Sequence, residues 1–274
     1  MKNVLKSVLL LSFHVVFSQN VTVSQAINII GKEAMLTQRM AKDKVFLSNN
    51  VENQTSKKEL ISSVILFERN LDILKNTTLT TEIQNDLTHL ELLWVGYKQN
   101  INTTDTNNND KVAEYNNIML SLCEKVNIGL LKTAELNGEY PYNVTNKTFT
   151  EATISSNKLK GLSQRLALFY STYFFKEKKY DGDQFKSIIS EIDSNVAKIK
   201  TAENIDLNIK QSTEDVIFQW KNIKAILQNV TTNDFISVHS SPKTDIIFEE
   251  CNKLLHYSDL LTRTYKSTND INKI

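Results

Sequence analysis

Lys32 and Arg39 stand seven residues apart, two turns of a helix, with Asn28 one further turn away and Gln38 beside the arginine. Two cations and two amides set along one helix are suited to holding a small anion. A guanidinium fork meets carboxylate-like or phosphate-like oxygens in pairs, and an ammonium adds a point charge. Other uses of the same residues stand beside this one. Arg39 can pair with Asp43 at i,i+4, a surface contact of about 0.3–0.5 kcal/mol, or donate to a backbone carbonyl of a neighbouring helix. Gln38 falls between Ala34 and Ala41 on an apolar stripe, so its amide needs partners. It serves there either as a register-setting polar group in a helix seam or as a ligand contact.

Catalysis has no comparable equipment. His14 lies in the N-terminal apolar run, and His89, His239 and His256 stand alone, without HExxH or carboxylate-plus-His spacing. There is no G-x-S-x-G, no glycine-rich phosphate loop and no CxxC. The chain is therefore read as non-enzymatic, with no cofactor and no metal. A formal charge of +1, from 32 basic and 31 acidic residues, gives no overall field to attract nucleic acid, which is not expected as a partner.

The cationic box occurs twice. Leu36-Thr37-Gln38-Arg39-Met40-Ala41 returns 126 residues later as Leu162-Ser163-Gln164-Arg165-Leu166-Ala167, and the same offset carries Lys32 to Lys158 and Trp94 to Trp220. Cys123 and Cys251 are 128 residues apart, which requires only a small insertion. Two tandem homologous units are expected. The repeat also tests the surface pair: position 43 becomes Phe169 in the second unit, so the pairing acid is lost while Lys158 and Arg165 are kept.

Six Gly and two Pro in 274 residues leave too little turn chemistry for a sandwich, a barrel or a doubly wound sheet. Helical stripes account for the apolar residues instead. In the first unit, one side of Ala26 to Leu47 carries Ile27, Ile30, Ala34, Ala41 and Val45. Three further stripes follow: Leu60, Val64, Phe67, Leu71 and Leu74; Ile83, Leu87, Leu90, Trp94, Tyr97 and Ile101; Val112, Tyr115, Met119, Leu122 and Val126. Polar breaks at 49–57, 76–80 and 102–110 separate them. The second unit repeats the plan with stripes headed by Phe185, Ile209 and Ile247, and Pro242 sits in the break before the last, where a helix start tolerates it. Short connections between long amphipathic helices favour antiparallel neighbours. The fold predicted is all-α, two tandem up-down antiparallel four-helix bundles, at 19–137 and 149–274 with a linker at 138–148. Trp94 and Trp220 are expected in the cores, as are the two cysteines, which read as buried thiols rather than a bridge.

Residues 1–18 combine Lys2, an apolar run from Val4 to Phe17 and a permissive end at Ser18, the pattern of a secretory signal peptide cleaved before Gln19. The run is short for a bilayer of about 30 Å, and later apolar stretches are broken by charges. A periplasmic or secreted protein is expected.

Ile27-Asn28-Ile29-Ile30-Gly31-Lys32-Glu33-Ala34-Met35-Leu36-Thr37-Gln38-Arg39-Met40 resembles the INLAGRQRMLSQRM signature that opens the extracytoplasmic sensor domain of type IV pilus chemotaxis transducers, the PilJ type. A related box occurs in nitrate/nitrite sensor kinases of the NarX type, and Gly161 to Leu166 resembles a degenerate second copy. The resemblance implies a four-helix sensor whose first helix carries the ligand box, with the anion bound across a homodimer interface in the nitrate sensors. The arginine that follows the family's glycine is Lys32 here and Lys158 in the repeat; the family's second arginine is Ala34 in the first unit and Lys160 in the second. The candidate ligand residues are thus Asn28, Lys32, Gln38, Arg39, Lys158, Lys160, Gln164 and Arg165. Such sensors normally sit between membrane helices, so signalling here is expected to pass through a separate membrane receptor or transporter. The two units are expected either to pair with each other as an intramolecular pseudo-dimer or to form a homodimer. The competing expectation is a structural or partner-binding helical module with no small-molecule ligand.

Overall fold

A computed structural model describes residues 21–51, 53–103, 108–138, 147–174, 182–202, 207–233 and 241–271. The expected leader, 1–18, and most of the expected linker lie outside these. The described residues form α1 (Val23–Ser48), α2 (Asn53–Lys75), α3 (Thr81–Ile101), α4 (Asn109–Asn137), α5 (Lys147–Phe174), α6 (Gly182–Lys200), α7 (Leu207–Asn233) and α8 (Ser241–Ile271). The boundaries differ a little from the sequence expectation. α2 begins inside the anticipated 49–57 break, and α5 begins two residues before 149.

Local signals set several of these ends. α1 opens on a capping box, in which the Thr22 hydroxyl accepts from the Gln25 backbone N–H and the Gln25 side chain accepts from that of Thr22. Thr80 caps α3 with one bond, its hydroxyl accepting from the Ile83 N–H. α4 stops at Gly138, whose φ of 67° is the left-handed turn that a residue without Cβ adopts at least cost.

Each set of four helices closes around its own core. Leu60, Phe67, Leu71 and Leu74 of α2 meet Ile83, Leu87, Trp94 and Tyr97 of α3, with Val112, Met119, Cys123 and Val126 of α4 and Ile27, Ile30 and Met40 of α1. The second core takes Phe185, Ile188 and Ile192 from α6, Ile209, Val216 and Trp220 from α7, Ile247, Cys251, Leu254 and Leu261 from α8, and Leu159 and Leu166 from α5. The predicted stripes are thus the buried faces. Side-chain pairs fix the antiparallel directions: Glu33 with Asn70 and Lys42 with Glu59 join α1 to α2, and Asp86 with Lys125 and Gly96 against Tyr115 join α3 to α4. Ser156 with Thr262, Lys160 with Asp259 and Gln164 with Asn252 join α5 to α8. Both cysteines are free and lie in separate cores, and burial pushes the Cys251 thiol up to about 12, so neither is poised to react.

One polar trio recurs in both units. The Trp94 indole N–H donates to Glu68, which also receives Lys98; the Trp220 indole N–H donates to Asp193, which also receives Lys224. The tryptophans are therefore core residues with their one donor satisfied at the bundle surface.

α1 and α5 pack against each other. A Cβ on Gly161 would lie 4.0 Å from the Cα of Met35, so the two backbones come close there. Met35 and Gly161 are 126 residues apart, the offset of the sequence repeat. Further along, Phe46 of α1 meets Phe248 of α8 with ring centroids 4.8 Å apart, at the level reached by the C-terminal half of α5. Numbering rises the same way along both helices, so α1 and α5 run parallel and nearly in repeat register. Leu168 of α5 packs on the first core, while Phe46, Val51 and Phe248 form a small third cluster across the two units. At Gly161, alanine should be tolerated, since a methyl fits at ordinary contact distance and favours helix by roughly 1 kcal/mol. Gly161→Leu should overpack the seam and lower unfolding free energy by about 1–3 kcal/mol; urea denaturation of the two variants separates these outcomes.

Candidate functional site

From Leu36 to Phe46 α1 is buried on nearly all sides, because α2 and α4 cover one side of its surface and α5 and α8 the other. Its charged run Lys42-Asp43-Lys44 is consequently out of solvent, with all three residues 0% exposed. A buried charge persists only with partners. Lys42 Nζ donates to Glu59 Oε2 of α2 at 2.9 Å and to Asn252 Oδ1 of α8 at 3.2 Å, lies 3.3 Å from Asp43 Oδ1, and stands 4.1 Å from the centroid of the Phe248 ring. Asn252 Nδ2 donates to the other Glu59 oxygen at 3.0 Å. The Arg39 Nε lies 3.7 Å from Glu59 Oε2 and is buried without a hydrogen-bond partner.

The predicted residues spread along α1 and α5 rather than lining one pocket. Arg39 faces Glu59 across the helix gap, which corrects the i,i+4 pairing with Asp43 weighed from the sequence. Asp43 is turned instead to its neighbour Lys42. Gln38 is buried and donates to Asn116 Oδ1 of α4 at 3.2 Å, so its amide joins α1 to α4. Gln164 is buried at the corresponding place in α5 and donates to Asn252 Oδ1 at 3.2 Å. Lys160 pairs with Asp259 at 3.3 Å, and Asn28 donates to the Ser24 carbonyl of its own helix. Lys32 and Lys158 are exposed, and Arg165 is half-buried. Lys32, Met35 and Arg39 share one helix stripe, as do Lys158, Gly161 and Arg165, so the close contact of α1 with α5 falls between two pairs of cations.

The two stripes differ in what surrounds them. The positions 126 residues beyond Lys42, Asp43 and Glu59 are Leu168, Phe169 and Phe185. Phe169 and Phe185 stack with centroids 5.8 Å apart, placing an aromatic pair where the first unit has its acid pair. Arg39 is thereby countered by a carboxylate, and Arg165 has no ion pair among the described residues. Sequence reasoning missed Lys42, Glu59 and Asn252. The available signal was the run of three charges inside an otherwise apolar helix.

Burial pushes the Asp43 carboxyl up to about 8; Lys42 and Arg39 oppose the rise and Glu59 reinforces it. Glu59 goes the other way, because Lys42 and Arg39 outweigh its own burial. Glu33, buried against Asn70, is also raised by burial.

Residues 15–118 match the family described as type IV pili methyl-accepting chemotaxis transducer N-term. The matched stretch covers α1 to α3 and the beginning of α4, including the Lys32 to Arg39 box. The second unit lies beyond it. Comparison with curated proteins and with solved structures returns no significant match. Among the described residues no helix is long and apolar enough to cross a membrane, and no cluster of His, Cys, Asp or Glu is placed to hold a metal ion.

The raised Asp43 pKa fixes the sign of a pH effect. The unfolded carboxyl titrates near 3.9, so between about 4 and about 8 the folded chain holds a proton that the unfolded chain has released. The stability contributed by neutral Asp43 is full below that window and is lost as pH rises to about 8. Asp43→Asn should remove this slope, making the variant more stable relative to wild type at pH 9 than at pH 6. Urea denaturation at the two pH values measures it; equal differences at both would refute the assignment.

Proposed function

We propose that this protein is an exported, non-catalytic sensory module of the chemotaxis-transducer type, built from two copies of one four-helix unit packed as an intramolecular pseudo-dimer. It recognises a small planar anion, nitrate-like in shape and charge, along the seam between α1 and α5 and passes the signal to a separate membrane partner. The observation that carries this reading is the pairing of the two stripes, Lys32–Arg39 and Lys158–Arg165, on either side of the Met35–Gly161 contact. The second stripe is the better candidate, because among the described residues no carboxylate pairs with Arg165 while Glu59 counters Arg39. Match of the first unit to the transducer N-terminal family supports the sensory role.

A second reading has its own support. Asn28, Gln38, Arg39, Lys160 and Gln164 all have partners inside the chain, as they would in a helical module whose box only joins helices and whose ligand is another protein.

Thermal unfolding with nitrate, nitrite, phosphate, sulfate and small carboxylates distinguishes the two. An anion at 100 times its dissociation constant should stabilise the native state by about 2.7 kcal/mol, a shift of a few degrees for a chain of this size. Arg165→Ala should abolish the shift and leave the anion-free midpoint nearly unchanged. Arg39→Ala should lower that midpoint, since it removes a cation from beside Glu59. No shift with any of these anions would reject the anion reading in favour of the partner-binding module.

A further inference from the structure

Three nitrogen groups converge on the Glu59 carboxylate from elements other than its own helix. Lys42 Nζ from α1 donates to Oε2 at 2.9 Å, Asn252 Nδ2 from α8 donates to Oε1 at 3.0 Å, and the buried Arg39 Nε, with no hydrogen bond of its own, lies 3.7 Å from Oε2. The Asn252 amide is held in this orientation because its oxygen receives both Lys42 and Gln164, which leaves its nitrogen for the carboxylate. Lys42 is 0% exposed and closed on another side by the Phe248 ring. The remaining titratable neighbour is Asp43, with Oδ1 at 3.3 Å from Lys42; burial pushes its carboxyl up to about 8, which favours its neutral form.

We propose that Arg39, Lys42 and Asn252 form an anion cradle shared between the two four-helix units, specific for small carboxylates, in which the Glu59 side chain is a tethered occupant. The donors come from α1 and α8 and the occupant from α2, so the carboxylate can be removed without removing any donor. Glu59 then acts as an internal competitor: it holds α2 against α8 and excludes free carboxylates from the cradle. The second unit has no such device, since Leu168, Phe169 and Phe185 stand at the corresponding positions. This site is separate from the Lys158–Arg165 stripe and does not depend on anion binding there.

The test is chemical replacement of the missing carboxylate. Glu59→Ala should have a lowered thermal midpoint in chloride, recovered saturably by formate or acetate at constant ionic strength, with half-recovery at millimolar concentration. Wild type, with its cradle filled, should show no such recovery at this site. Lys42→Met combined with Glu59→Ala should not respond. If Glu59→Ala is unfolded in chloride, circular dichroism takes the place of the midpoint, and helix regained in formate but not in chloride is the expected result. Equal behaviour of Glu59→Ala in formate and chloride, folded or unfolded, overturns the proposal. The same titration on Glu59→Ala/Arg165→Ala keeps the two sites apart. A formate response retained there supports the cradle whatever becomes of the second stripe, and a response lost there assigns the effect to Arg165 and overturns the cradle.

Discussion

The rest of the structure depends on α1 and α5 being covered on two sides at once. A helix in a simple four-helix bundle buries one stripe and shows the opposite face to water. Here each first helix packs into its own bundle and also against the other, with near backbone contact between Met35 and Gly161. Lys42 of α1 is enclosed in part by Asn252 and Phe248 of the second unit as a result. Once enclosed, its charge must be answered, and Glu59 from α2 and Asn252 from the other unit answer it.

The fold was largely legible in the sequence, since each bundle obeys a local rule. Ile83, Leu87, Leu90, Trp94, Tyr97 and Ile101 recur at helical spacing and are all buried, and the α6 to α8 stripes behave likewise. The repeat offset, visible in the Gln-Arg blocks, returns in space as the Met35–Gly161 contact and as the two Trp–acid–Lys trios. Periodicity could not reveal the second contact face of α1. A stripe drawn through Ile27, Ile30 and Ala41 describes one buried side and says nothing about a partner supplied from elsewhere. Lys42 and Asn252 are 210 residues apart, and no spacing rule joins them. The ligand box was legible as a set of residues but not as a geometry, because Gln38 turns to α4 while Arg39 turns to α2.

The acid pair of the first unit and the aromatic pair of the second solve the same packing problem in opposite ways. Phe169 on Phe185 fills its space with apolar surface and no desolvated charge. Asp43, Lys42 and Glu59 fill theirs at a desolvation cost that their mutual attraction offsets incompletely, as the raised Asp43 carboxyl reflects. Hydrophobic replacement of such groups is often neutral or stabilising, so stability alone does not account for a charged cluster here. Directional hydrogen bonds to Asn252 are what the charged solution adds, and they fix how the two units meet.

Joining both packed faces in one chain has a consequence for symmetry. In a homodimer about a two-fold axis every substitution is made twice, and a buried charge at the axis meets its own image. A covalent tandem is free of that restriction: at the repeat offset a lysine at position 42 corresponds to a leucine at 168, and an acid at 43 has no duplicate. The tether also makes their association intramolecular, so it survives a dilution at which unlinked chains would dissociate. The seam can therefore carry different chemistry on its two sides.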